Sequence, residues 1–218
     1  MHPHQTAFLE LALEHEVLKF GRFTLKSGRV SPYFFNLGKI SSGAAMARLA
    51  RAYAEAITRS GVEFDTLFGP AYKGIPLATA VAYALSEQGR DVPYAYNRKE
   101  AKAHGEGGTL VGAPLAGRKV LIVDDVLTAG TALREAVAMI RAAGGEPVAA
   151  VIALDRMERG TGEKSAVAEM EADTGVNVVA LVSVREILAY LSMGHGGGAI
   201  EPQTIDAMRE YQARYGVT

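Results

Sequence analysis

Residues 119–123, 147–154 and 176–182 are short apolar runs almost bare of polar side chains, and helical segments separate them. A strand with one face in water alternates apolar and polar residues, so bare runs of this kind suit strands covered on both faces. Strands that alternate with helices are joined by right-handed crossovers, and the sheet they build is parallel. In such a sheet, ligands bind outside the carboxyl ends of the strands.

The rest of the chain mostly keeps this rhythm. Residues 6–19 place Phe8, Leu11, Ala12 and Leu18 near helical spacing, with Gly21 where a C-terminal cap is expected. Phe23-Thr24-Leu25 and residues 33–37 then read as strand, turn, strand. An alanine-rich helix is expected from Ser41 to Gly61, and further helices over about 75–87, 129–143, 163–173 and 204–215. Short strands are expected at Thr66-Leu67-Phe68 and at 92–96. Ser183-Val184-Arg185-Glu186 has the form of a capping box, opening a helix that carries Ile187, Leu188 and Leu191.

One stretch departs from the pattern. Residues 97–117 are polar and contain Gly105, Gly107, Gly108, Gly112 and Gly117, which makes them long and hydrophilic for a connection inside a compact domain. Loops of that kind are functional lids or disordered segments. The glycine tract at 194–198 reads as a flexible connector before the last helix.

Composition bounds the function. With 49% hydrophobic and 22% charged residues in 218, the chain can bury a sizeable core. The 24 acidic and 23 basic side chains leave a formal charge of −1, which argues against a nucleic-acid partner. The chain has no cysteine, so disulfides, thiolate metal sites and cysteine nucleophiles are excluded. No apolar run approaches the ~18 residues of a membrane span, and the opening Met1-His2-Pro3-His4-Gln5 lacks the features of a signal peptide. The expectation is a soluble, cytoplasmic protein with no membrane partner.

The densest chemical signal is the run from Val120 through Val123, Asp124, Asp125, Val126, Leu127, Thr128, Ala129, Gly130 and Thr131 to Ala132. It reads as a buried strand that ends in two carboxylates and passes through a small-residue turn into a helix. Backbone N–H groups, two threonine hydroxyls and the positive end of a helix dipole make such a turn a phosphate cradle. The adjacent carboxylates can accept hydrogen bonds from sugar hydroxyls or help hold Mg²⁺ through water. No G-x-x-x-x-G-K-[ST], interposed G-x-G-x-x-G, H-E-x-x-H or G-x-S-x-G string competes with this reading.

This strand, acid pair and T-A-G-T turn resemble the phosphoribosyl pyrophosphate (PRPP) motif of type I phosphoribosyltransferases. Three further segments resemble the orotate-specific branch of that family: 23–29 with Ser31-Pro32-Tyr33-Phe34-Phe35-Asn36, then Gly69-Pro70-Ala71-Tyr72-Lys73-Gly74-Ile75-Pro76, and then 97–108. The resemblance implies a type I phosphoribosyltransferase-like α/β fold. Its central parallel sheet would have about five strands flanked by helices, in a single domain over 1–218. A small hood would come from about residues 1–40 plus part of the C-terminal segment. The reaction implied is Mg²⁺-dependent transfer of ribose 5-phosphate from PRPP to N1 of orotate, in a homodimer with shared active sites.

The resemblance also implies residue roles. Thr128 to Ala132 would hold the 5′-phosphate, with Val126 and Leu127 leading into the turn, and Asp124 and Asp125 would hold the ribose hydroxyls. Tyr72 and Lys73 would meet the pyrophosphate, and Arg98, Lys99, Lys102 and His104 would close over PRPP. Lys102, assisted by His104, would stabilise the departing pyrophosphate, with Lys26 and Asp125 completing the catalytic set. Lys26 would bridge the two substrates, Phe34, Phe35 and Thr128 would contact orotate, and Arg156 would take its carboxylate, a task suited to a planar guanidinium. No protein residue is expected as a direct metal ligand. Because Phe34 and Phe35 point to opposite faces of a strand, at most one can stack on the base. A phosphoribosyltransferase of an uncharged base and a non-catalytic PRPP sensor are the competing readings.

Overall fold

The computed structural model describes residues 1–25, 27–102, 108–127, 130–160, 162–195 and 201–217, with the backbone alone at 101 and 102. Lys26, His104, Thr128, Ala129 and the side chain of Lys102 therefore lie outside the described residues, as do residues 196–198 of the glycine tract.

The chain opens with helix α1 (Pro3–Glu14) and a hairpin of β1 (Leu18–Thr24) and β2 (Val30–Phe35). It continues through α2 (Gly43–Ser60), β3 (Thr66–Gly69), α3 (Gly74–Glu87), β4 (Tyr94–Lys102) and β5 (Gly108–Gly112). After these come β6 (Lys119–Val123), α4 (Thr131–Ala142), β7 (Glu146–Asp155), α5 (Ala166–Thr174), β8 (Asn177–Ser183), α6 (Val184–Ser192) and α7 (Pro202–Tyr215). The large sheet has the order β5-β4-β3-β6-β7-β8, and every pairing is parallel except β4 with β5.

The bare apolar runs feed two cores, one on each face. On β6, Leu121 and Val123 join α1, α2 and α3, while Val120 and Ile122 join Leu133, Val137 and Ile140 of α4 and Met170 of α5. The period of two along one strand thus supplies alternate side chains to opposite layers. The capping box forms as expected: Glu186 accepts the Ser183 backbone N–H at 2.7 Å. Helix α2 starts on the Ser42 hydroxyl, which accepts from Ala45 N at 3.2 Å, and ends on Gly61 at φ +68°.

The expected parallel sheet of about five strands is present as five mutually parallel strands, to which β5 adds an antiparallel edge. Two expectations need correction. Strand β5 comes from the stretch read as a loop, since residues 97–102 and 108–112 form a hairpin in which Tyr96 faces Val111 and Asn97 faces Leu110. An edge hairpin open to water carries polar residues along much of its length, so it lacks the apolar signature of the central strands. The first helix stops at Glu14, with His15 as its cap and Glu16 at φ +55°, so Leu18 and Gly21 fall in β1.

Hairpin β1–β2 forms a sheet of its own, with Leu18 opposite Phe35 and Phe20 opposite Tyr33. Helix α7 lies against it through an edge-on contact between Tyr211 and Tyr33, centroids 6.3 Å apart. Among the described residues, no helix is long and apolar enough to cross a membrane.

Candidate active site

The carboxyl ends of β3 and β6 lie side by side because the strands pair in parallel, Phe68 opposite Ile122. Beyond β3 the chain turns through Pro70 to Lys73 and enters α3 at Gly74. Two glycines make this turn possible. A Cβ on Gly69 would come 2.1 Å from the Gly74 carbonyl oxygen, and one on Gly74 would come 2.6 Å from the Pro70 ring. Asn97 of β4 holds the turn from the other side, its Oδ1 accepting Ala71 N at 2.9 Å.

Beyond β6 the two acids adopt different surroundings. Asp124 Oδ1 accepts the Asp125 N–H at 2.9 Å, and Asp125 Oδ1 accepts the Val126 N–H at 2.8 Å. Burial, and then the neighbouring charge of Asp125, push the Asp124 carboxyl up to about 6. The Asp124 main-chain carbonyl accepts the hydroxyl of Tyr53, a fully buried residue of α2, at 2.8 Å. Lys73 Nζ reaches across from the β3 turn to Asp125 Oδ2 at 2.6 Å.

Gly130, at φ +73°, starts α4, so the free N–H groups of the first turn begin at Thr131 and Ala132. These residues line a cavity of about 210 Å³ together with Asp124, Val126, Leu127, Leu133 and Ile152. Most of this lining is apolar, but the recess opens at a helix N-terminus beside a strand-end carboxylate, an arrangement that suits a phosphate joined to a hydroxylated sugar. A larger cleft of about 680 Å³ lies at the opposite ends of the strands, lined in part by Phe64, Arg90 and Lys119. Its cations are already engaged: Arg90 lies 3.9 Å over the Phe64 ring and Lys119 pairs with Glu63 at 3.6 Å.

The structure also brings other expected residues toward this edge. Tyr72 is 66% exposed, free to meet a ligand, and Lys99 of β4 stands 4.9 Å over its ring. Arg98, the residue before Lys99, is half-buried. The two phenylalanines divide as the strand requires: Phe35 packs near Phe8 against the core, while Phe34 is exposed and stacks on Phe23 at 5.5 Å. Arg156 follows β7, its guanidinium 4.3 Å over the Tyr33 ring and paired with Glu158 at 2.6 Å.

Tyr53, Asn97 and Glu158 were not singled out as site residues from the sequence. Tyr53 lies in the middle of an ordinary amphipathic helix, and only the packing of α2 against β7 and β8 reveals its contact with the residue that follows β6.

Known proteins with similar chains accord with this geometry. Residues 36–183 match the phosphoribosyl transferase domain. The chain is 58% identical over 218 residues to the orotate phosphoribosyltransferase of Thioalkalivibrio sulfidiphilus, covering 100% of both chains. It is 55% identical to that of Cellvibrio japonicus, over 100% of this chain and 99% of the other. The solved orotate phosphoribosyltransferase of Francisella tularensis superposes with a TM-score of 0.86 at 40% identity, over 96% of this chain and 99% of that one. The chain belongs to the phosphoribosyl transferase domain family, within its orotate phosphoribosyltransferase branch.

Proposed function

We propose that the protein transfers the ribose 5-phosphate group of PRPP to N1 of orotate, giving orotidine 5′-monophosphate and pyrophosphate in pyrimidine nucleotide synthesis. The observation that carries this reading is the convergence of the Lys73 turn, the Asp124–Asp125 pair and the N-terminus of α4 at the carboxyl ends of β3 and β6. Thr131 and Ala132 receive the 5′-phosphate on their backbone N–H groups, and Asp124 and Asp125 accept the ribose hydroxyls. Lys73 and Tyr72 meet the pyrophosphate. Phe34 offers an aromatic face to the base, and Arg156 takes its carboxylate.

In the reaction, the bond from the anomeric carbon to the pyrophosphate oxygen breaks and a bond to N1 forms on the opposite face. The N1 proton of orotate becomes strongly acidic as N1 bonds the electron-poor anomeric carbon, and it passes to pyrophosphate or solvent, so no strong base is required. Catalysis then rests on positioning and on neutralising the leaving group. The family resemblance assigns that last task to Lys102 and His104, with Lys26 bridging the substrates. Arg98 and Lys99 on β4 add positive charge beside the pyrophosphate turn.

Asp124 and Asp125 supply the hard oxygen donors that suit Mg²⁺. When bound with PRPP, Mg²⁺ would neutralise pyrophosphate charge, and the two acids would hold it through water. We assign the hood to about residues 1–40, with α1, β1 and β2, plus α7 of the C-terminal segment, the assembly to a homodimer and the location to the cytoplasm. Separation of the products after incubation with PRPP, Mg²⁺ and orotate tests the reaction: orotidine 5′-monophosphate and pyrophosphate in equal amounts support it. Orotate consumed without pyrophosphate contradicts it. Full activity in a purely monomeric species on sedimentation contradicts the dimer.

A further inference from the structure

The guanidinium assigned to the orotate carboxylate is already held by a carboxylate of the protein. Glu158 Oε1 accepts from Arg156 Nε at 2.8 Å and stands 2.6 Å from Nη2, while its Oε2 accepts from Arg29 Nη1 at 3.4 Å. The Arg156 and Glu158 side chains are only 13% and 12% exposed, so water contributes little to their orientation. Ser31 Oγ accepts from Arg156 Nη2 at 3.2 Å, and the Tyr33 ring lies beneath the guanidinium.

The backbone beneath this cluster is held by the C-terminal helix. Gln212 of α7 donates to the Arg156 carbonyl at 3.1 Å, Val217 N donates to Met157 O at 2.9 Å and Arg159 N donates to Tyr215 O at 2.9 Å. Glu158 itself forms a β-bridge with Gly216. Segment 156–159 is therefore strapped to the end of the chain, and Glu158 has a defined origin from which to reach both arginines.

A buried ion pair adds little net stability over an apolar pair of the same shape, because desolvating the charges offsets their attraction. What it supplies is orientation. We infer that Glu158 is a positioning residue for base recognition: it sets the plane of Arg156 toward a flat, carboxylated pyrimidine. The inference rests on the assignment of Arg156 to the orotate carboxylate. Glu158 acts through Arg156 and does not itself touch substrate.

Reach, rather than charge, is the property at stake, and two near-isosteric variants separate them. Glu158→Asp keeps the charge but is one methylene short of spanning both arginines, whereas Glu158→Gln keeps the reach and the acceptor oxygen for Arg156, giving up only the longer contact to Arg29 Nη1. Steady-state kinetics with both substrates, run beside Arg156→Ala and with a thermal midpoint for each variant, tests the role. Glu158→Asp is expected to raise the orotate KM about tenfold with the PRPP KM, saturated kcat and midpoint little changed, and Glu158→Gln to stay within about threefold of the parent. An unchanged orotate KM in Glu158→Asp, beside a raised one in Arg156→Ala, overturns the role of Glu158. An unchanged KM in Arg156→Ala overturns the underlying assignment instead. Glu158→Gln as impaired as Glu158→Asp, or equal losses for orotate and PRPP with a lowered midpoint, also overturns the positioning role.

Discussion

Lys73 and Asp125 lie on different strand-to-helix connections, 52 positions apart in the chain, and meet at 2.6 Å between Nζ and Oδ2. The contact joins the turn after β3 to the acid pair after β6. Without ligand, each group occupies the other. In the proposed roles, Lys73 would exchange a carboxylate for pyrophosphate oxygens on binding PRPP, and Asp125 would exchange an ammonium for ribose hydroxyls. The Lys73 side chain is 55% exposed and Asp125 16%, so the lysine is the partner free to move.

This exchange makes the two residues energetically dependent. Lys73→Met and Asp125→Asn are each expected to raise the PRPP KM by about tenfold or more. The double variant should fall well short of the product of the two, because contacting residues do not act additively. A double-mutant cycle on kcat/KM for PRPP checks this, and strict additivity would contradict the exchange.

Asp124 gives the site a pH dependence. Its carboxyl titrates near 6 in the folded chain because burial and the Asp125 charge disfavour ionisation. In its proposed role Asp124 accepts from ribose hydroxyls, a task the carboxylate performs better than the neutral acid, so kcat/KM for PRPP should decline as pH falls through about 6. The profile for Asp124→Asn should lose that inflection.

The same shift bears on stability with a definite sign. A carboxyl whose folded pKa is raised binds its proton more tightly in the native state, so stability falls as pH rises from the unfolded value of 3.8 to about 6. Above that range the ionised group costs about 2 to 3 kcal/mol. Asp124→Asn removes the cost and keeps an oxygen for the Asp125 N–H. Thermal melts at pH 7.5 should show a higher midpoint than the parent, by about 2 to 4 °C for each kcal/mol recovered, and melts near pH 4 should not.

Gly69 offers a test of the turn. Since a methyl group there would stand 2.1 Å from the Gly74 carbonyl oxygen, Gly69→Ala must displace the 70–74 segment. A loss of about 1 to 3 kcal/mol in denaturant unfolding is expected, together with a raised PRPP KM and a nearly unchanged orotate KM.

Base recognition and leaving-group stabilisation should separate kinetically. Arg156→Ala is expected to raise the orotate KM, whereas Lys102→Ala should lower kcat far more than it weakens PRPP binding. Equal losses in both parameters for both variants would contradict this division of labour.

The central sheet was legible because strands covered on both faces must be apolar throughout, as 119–123 and 147–154 are. The acid pair and its turn were legible because their meaning is local: a strand, two carboxylates and a helix start within one short run. The edge hairpin was not, since Asn97, Arg98, Lys99 and Glu100 carry the polarity of a loop although Asn97 and Arg98 are partly buried. Neither was the Lys73–Asp125 contact, nor the Tyr53 hydroxyl on the Asp124 carbonyl at 2.8 Å, because both depend on long-range packing that no spacing along the chain encodes. Glu158 stood two residues from a residue already singled out, yet its role emerges only with the Arg29 side chain beside it.

The most direct test of the account follows orotate's ultraviolet absorbance with purified protein, PRPP and Mg²⁺, with uracil and adenine as parallel substrates. The account predicts loss of orotate only when PRPP and Mg²⁺ are both present, and no comparable reaction of the two uncharged bases. PRPP-dependent conversion of uracil or adenine, with orotate untouched, would leave the sugar-phosphate site standing and contradict the roles given to Arg156 and Phe34.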